Sequence, residues 1–266
     1  MRYNVERIKE YKIDRLGESG VNNQGCLMFI DKYNSYSDIV VRFKDDYNAT
    51  VHTDYKAFKR GRVKNPYYPS ICNIGRIGNK YPKFINGKPT KEYTTWYNMI
   101  CRCYDKKEKE KHPNYEGVTC CEEWLLYENF YEWIHNQENF EQWLNGDRWD
   151  LDKDIMAKNN KIYSPKFCCL VPNNVNKLFI RQYNHRGKYP IGICRDNDRF
   201  LVQCMNPFTG KTKNIGRYDI LEQAFIAYKK FKEDIIKQVA QIEYDKNNIT
   251  KKCYESMMKY RVEITD

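Results

Sequence analysis

The sequence predicts an α+β protein: a small N-terminal β-barrel-like domain, a ββα-like middle domain, and a C-terminal three-stranded sheet with one helix. Three observations lead there. Residues 1–70 alternate short apolar runs with polar turns. Residues 93–183 carry aromatic stripes at helical spacing. Lys188 to Gln238 reads as three short strands followed by an amphipathic helix. A length of 266 residues accommodates one to three such domains.

In the first segment a charged lead-in, Arg2 to Arg15, has room for one or two helical turns. Cys26 to Tyr33, Asp38 to Phe43 and Ala49 to His52 then read as strands, the last two separated by an Asp45-Asp46 turn. Short strands with polar turns predict a small barrel of the Src-homology-3 kind. The basic run from Phe58 to Pro66, with Arg60 and Arg62, either grips phosphates or is a solvated loop. Residues 71–92 read as a basic linker, punctuated by Gly75, Gly78, Pro82, Gly87 and Pro89.

In the middle domain Trp96, Met99, Ile100 and Cys103 have helical spacing. Trp124, Phe130, Trp133 and Ile134 mark a second helical region within Glu122 to Trp143, and both stripes are core faces. Asp105 to Tyr115 reads as a charged loop between them. A carboxylate-bearing strand (Leu151-Asp152-Lys153-Asp154-Ile155), an Asn-rich loop (Asn159-Asn160) and a helix start at Ser164-Pro165 compose a ββα-like unit. Such a unit can hold a divalent cation beside a phosphodiester, given a metal ligand, a general base and an asparagine to orient the site.

The C-terminal domain, 184–240, has strands at Ile191–Arg195, Phe200–Met205 and Thr212–Tyr218. A helix face follows, formed by Leu221, Ala224, Phe225, Tyr228, Phe231 and Ile235. The free face of such a ribbon can lie in a DNA groove. Arg195, Arg199, Gln203, Lys211, Lys213 and Arg217 are expected on it. A helical tail, 241–266, places Tyr254, Met257, Met258 and Val262 on one face.

Composition agrees with a polyanionic partner. The net charge is +11, and the 23 tyrosines supply groups that bond phosphates or stack on bases. The polar start at Met1–Arg7 is no secretory signal, and no apolar run approaches a membrane span. The 11 cysteines therefore read as reduced thiols in a cytoplasm. Cys103, Cys120, Cys121, Cys168 and His112 fall in one domain and can supply a structural zinc, but their spacing fits buried free thiols better. His52, His135 and His185 show no partner in sequence. Gly75-Arg76-Ile77-Gly78-Asn79-Lys80 lacks the phosphate-loop pattern, which argues against a nucleotide hydrolase.

Gly192-Ile193, Arg199-Phe200, Gly210-Lys211, Ile215-Gly216-Arg217-Tyr218 and Glu222-Gln223-Ala224-Phe225-Ile226-Ala227-Tyr228 together resemble the APETALA2-type DNA-binding domain. That family binds DNA through its sheet, in the major groove. Upstream, Tyr93-x-x-Trp96-Tyr97-x-Met99-x-x-Arg102-Cys103-Tyr104, Val118-Thr119-Cys120-Cys121-Glu122-Glu123-Trp124 and Asn129-Phe130-x-x-Trp133 are similar to phage-encoded HNH homing endonucleases. These often carry an APETALA2-type domain at the C-terminus.

The resemblance implies roles residue by residue. Asp152 falls at the metal-ligand position, for Mg²⁺ or Mn²⁺. Lys153 falls where the family has its general-base histidine, and Asn160 falls near the central asparagine. The last motif position, near Lys166 or Phe167, has neither histidine nor carboxylate. Asp154, two residues beyond Asp152, is a substitute ligand if both share a strand face. A lysine is ordinarily cationic near pH 7 and makes a poor base, so Lys153 is better suited to holding a phosphate.

The leading expectation is a double-stranded DNA-binding protein of phage or mobile-element type with a degenerate HNH-like domain, working in a bacterial cytoplasm. The alternatives are an active metal-dependent DNA endonuclease and a phage inhibitor of a host nucleoprotein defence complex.

Overall fold

The computed structural model describes residues 14–179 and 188–265; nearly all of the charged lead-in, and His185, lie outside them. The chain is mixed α and β and divides into two compact units, residues 1–82 with 125–128, and residues 83–124 with 129–266.

The first unit is built on an antiparallel meander of β1 (Ser19–Val21), β2 (Leu27–Ser35), β3 (Asp38–Phe43) and β4 (Thr50–Thr53), in the order β1-β2-β3-β4. Met28 lies opposite Phe43 and Ile30 opposite Val41, so alternate apolar residues of β2 and β3 meet on one buried face. A short helix, α1 (Tyr55–Lys59), is capped by the Asp54 carboxylate, which accepts from the Ala57 amide at 2.7 Å. It delivers Tyr55 and Phe58 to that core.

Among the described residues the expected barrel does not close: β1 pairs only with β2 and β4 only with β3. Beside β1, the Phe58 ring of α1 lies over Gly20, where an added Cβ would sit 3.3 Å from it. A helix thus does the covering that strand pairing does in a barrel.

The basic run is an anchored loop. Val63 is buried, its carbonyl accepts from Asn22, and Gly61 takes φ 64° while Arg60 and Arg62 stay exposed. The segment expected as a linker is also pinned as far as Lys80. The amides of Asn79 and Lys80 donate to Glu128 Oε1 at 2.8 and 2.7 Å.

In the second unit a hairpin of β5 (Phe84–Ile85) and β6 (Lys88–Pro89) leads into α2 (Lys91–Tyr104), capped by Thr90. The predicted stripe of Trp96, Met99, Ile100 and Cys103 is buried. The expected charged loop is largely helical instead. Asp105 accepts from the Glu108 amide and starts α3 (Lys106–Lys111), a helix with no buried side chain. β7 (Thr119–Cys120), α4 (Tyr127–His135) and α5 (Phe140–Asn145) follow. His135 bonds Glu92 of α2 at 3.1 Å, a partner that sequence spacing does not reveal.

β8 (Trp149–Asp152) pairs antiparallel with β10 (Cys169–Pro172). Between them β9 (Ile162–Tyr163) runs parallel to β7. Ser164-Pro165 does not start a helix. The Ser164 carbonyl accepts from the Phe167 and Cys168 amides in a turn, and the apolar run Cys169-Leu170-Val171 extends again as a buried strand. The helix of the ββα unit is α6 (Asn173–Asn176), after Pro172.

The C-terminal sheet matches expectation closely: β11 (Ile193–Asp196), β12 (Arg199–Asn206) and β13 (Lys211–Tyr218), in that order. Gly192 has φ 75°, and a Cβ there would run into the Tyr228 ring.

The helix α7 (Leu221–Asp245) is longer than its sequence periodicity predicts. Ala224 and Tyr228 pack with Ile193, Val202 and Cys204 of the sheet. Ile235, Ile236, Val239 and Ala240 pack with Cys169 and Val171 of β10, Val175 of α6, and Cys253 and Met257 of α8 (Lys251–Lys259). One helix therefore belongs to both cores. The buried Glu243 near its end accepts from Asn174 of α6 at 3.3 Å.

Candidate nucleic-acid interface and ββα cleft

Two surfaces of the second unit bear most of the residues singled out by sequence; Arg60 and Arg62 lie in the first unit. One is a cleft of about 640 Å³ beside β8 and α6. Asp150, Asp152, Lys153, Asn160, Tyr163 and Asn176 line it together with Arg102 of α2.

Asp152 ends β8 and is nearly enclosed. Its Oδ1 accepts from the Asp154 and Ile155 amides at 2.8 and 2.7 Å. Burial pushes its carboxyl up to about 6, and the neighbouring Asp154 charge adds to the rise. The two amide bonds oppose it.

Lys153 is buried, and its Nζ donates to Asp154 Oδ2 at 2.7 Å. Both groups are thereby used locally, and Lys153 would meet a phosphate only by leaving Asp154. One expectation is corrected. Asp154 does not share a strand face with Asp152, because β8 stops at Asp152 and Asp154 lies in the turn. The strand carboxylate two residues from Asp152 is Asp150.

Asp150 Oδ2 accepts from Asn173 and Asn176 of α6 at 2.7 and 3.0 Å. Asn173 and Asn176 are the polar side chains that the helix of this unit brings to the cleft, in place of the Lys166–Phe167 region. The signal was present as Asp150-x-Asp152 alternation and as two asparagines one helical turn apart. Asn160 orients the loop: its Nδ2 donates to the carbonyls of Lys153 and Ile162 at 2.9 and 2.8 Å, and its Oδ1 accepts from the Ile162 amide.

The donor set suits a hard cation that keeps most of its water. Asp152 uses one carboxylate oxygen on backbone amides and Asp150 one on asparagine amides, so each retains a second. Among the described residues, however, no three His, Cys, Asp or Glu side chains are arranged to hold a metal ion. That holds for the thiols as well, although Cys103, Cys120, Cys121 and Cys168 are electrostatic neighbours. Cys121, half-buried, is lowered to about 7 by the hydrogen bond from Cys120, whose own thiol is pushed far up by the same bond.

The second surface is the face of the C-terminal sheet away from α7. Residues directly opposite each other on paired strands share a face. The register sets Leu201 against Arg217 and Gln203 against Asn214, and places Arg199, two residues before Leu201, on the same outer face. Gln203 Nε2 donates to Asn214 Oδ1 at 2.6 Å. Arg199 pairs with Asp219 at 2.8 Å and Arg217 with Asp196 at 2.6 Å, all at least partly exposed.

Three of the expected face residues lie elsewhere. Lys213 sits opposite the core residue Cys204, with its Nζ 5.0 Å from the centre of the Phe231 ring of α7. Lys211 shares that side by alternation. Arg195 stands opposite Phe200 and over its ring at 4.8 Å. A bulge between Val202 and Gln203 shifts the β12–β13 register by one residue, which simple alternation along the sequence cannot foresee.

The chain matches no family model, no curated protein and no solved structure. No helix among the described residues is long and apolar enough to cross a membrane.

Proposed function

We propose that this protein binds double-stranded DNA through the outer face of its C-terminal sheet, and that its ββα cleft lies against the bound backbone without cutting it at a useful rate. The observation that carries the reading is the row of polar side chains on that face, Arg199, Gln203, Asn214 and Arg217, on a ribbon backed by one helix. A two- or three-stranded ribbon fits the major groove, and arginine and glutamine are suited to guanine and adenine edges. The Arg199–Asp219 and Arg217–Asp196 pairs do not oppose this use. Exposed ion pairs contribute only about 0–1 kcal/mol, so phosphate or base partners can displace them. The net charge of +11 favours a polyanion.

The non-catalytic part rests on Lys153. Where the HNH resemblance would put a base to take a proton from water, the chain has a lysine, and its Nζ donates to Asp154. The convergence of Asp150 and Asp152 on one cleft with Asn173 and Asn176 favours the second reading, a metal-dependent endonuclease in which Asp152 helps hold Mg²⁺ or Mn²⁺ and supplies a site for water activation.

A gel-shift on duplex DNA beside a plasmid-relaxation assay with Mg²⁺ or Mn²⁺ separates the two. Binding with intact plasmid is the expected result. Metal-dependent nicking that disappears in Asp152→Ala overturns it in favour of the endonuclease, and no binding at all overturns both.

A further inference from the structure

Resting on the DNA-binding reading, we infer that Arg102 is the anion anchor of the ββα cleft, where its guanidinium holds a non-bridging oxygen pair of a DNA phosphodiester. Arg102 comes from the last turn of α2 and lines the cleft with Asp150, Tyr163 and Asn176.

Its setting is that of a cation prepared for a ligand. The guanidinium is half-buried, interacts with the Tyr163 hydroxyl, and stands 5.6 Å from the centre of the Tyr115 ring. Tyr163 is itself buried. The nearby carboxylate, Asp150, is drawn instead to the amides of Asn173 and Asn176. Asp150 attracts Arg102 but forms no close ion pair with it among the described residues, and the surroundings as a whole favour the charged guanidinium. A guanidinium has five donors, so an incoming anion meets unused ones in a partly enclosed cleft.

The other cations of the cleft are committed. Lys153 donates to Asp154, and Lys161 Nζ donates to the Glu116 carbonyl at 2.9 Å. The planar fork of arginine also matches two phosphate oxygens at once, which a lysine cannot do. The cleft volume of about 640 Å³ exceeds the needs of a phosphate alone and has room for part of a sugar-phosphate strand.

The test is duplex binding by the full chain across a salt series, comparing wild type with Arg102→Gln and Arg102→Lys. Thermal unfolding establishes that each variant is folded. For Arg102→Gln the slope of log affinity against log salt should fall by about 1, the signature of one phosphate no longer neutralised, with affinity down about tenfold or more on every sequence tried. A merely structural role for Arg102 would leave that slope unchanged. If Arg102→Gln does not fold, Arg102→Lys decides. It keeps the charge and loses the fork, so its affinity should fall about tenfold, and wild-type affinity overturns the inference. A wild type that binds duplex while Arg102→Gln keeps its salt slope overturns the anchor and leaves the DNA-binding reading standing. A wild type that binds no duplex overturns both.

Discussion

Replacing Asp152 by asparagine removes a buried carboxyl whose proton affinity has been raised by its surroundings. In the folded chain it titrates at about 6, against an ordinary value of 3.8. As pH rises from 4 to 6 the unfolded chain ionises first, and the folded chain must follow by placing a charge in a poorly solvated site. The contribution therefore falls with rising pH across that window and is constant outside it. A difference of roughly two pH units corresponds to about 3 kcal/mol at about 1.4 kcal/mol per unit. Asparagine keeps an oxygen for the Asp154 and Ile155 amides and does not titrate.

Urea unfolding in EDTA at pH 3.5 and at pH 7.5 isolates the effect. The stability of Asp152→Asn relative to wild type should improve by about 3 kcal/mol between the two pH values, whatever fixed cost the amide brings at both. An unchanged difference at the two pH values would falsify the assignment of a raised carboxyl to Asp152, and with it the enclosure argued for the cleft.

Changing Arg199 and Arg217 together to alanine should weaken duplex binding by about 1–3 kcal/mol for each base that is no longer read, measured by gel-shift on a folded protein; full retention would remove the sheet as reader. If about six phosphates are neutralised, wild-type affinity should drop roughly a thousandfold between low and moderate salt, and a flat response would point to a protein partner. Ile236→Ala deletes a fully buried side chain of α7 and should cost about 2–5 kcal/mol in urea unfolding. Gly192→Ala must accommodate φ 75° and a Cβ driven into the Tyr228 ring, so its melting temperature should fall by several degrees, while a neutral result would mean that the β11 turn is soft.

Elements with a strong local signal are legible in the sequence. The C-terminal strands are bounded by turn residues with positive φ, Gly192, Asn197 and Gly210, and α2 shows its stripe of Trp96, Met99, Ile100 and Cys103. Elements fixed by tertiary pairing are not. α3 consists of Lys and Glu alone and is marked only by its Asp105 cap. α6 hides behind Pro172 and two asparagines that read as a turn, and its place is set by packing of Val175 and by Glu243. Barrel closure depends on which residue covers β1, and Phe58 does so from a helix. In the cleft, Asp152, Lys153 and Asn160 are readable from local order. Asp150, Asn176 and Arg102 become neighbours only when α2, β8 and α6 assemble.

The continuity of α7 turns the second unit into a ruler. Because the same helix lies under the sheet and within the core behind β10 and α6, the outer face of the sheet and the cleft are held by one rigid element. An inserted residue between Phe231 and Ile235 would rotate one end against the other by about 100° and lengthen the span by about 1.5 Å. If, as proposed, the sheet reads base pairs and the cleft grips a phosphate, their spacing is encoded in the number of residues in one helix, and a fixed number of base pairs should separate the two footprints on every site.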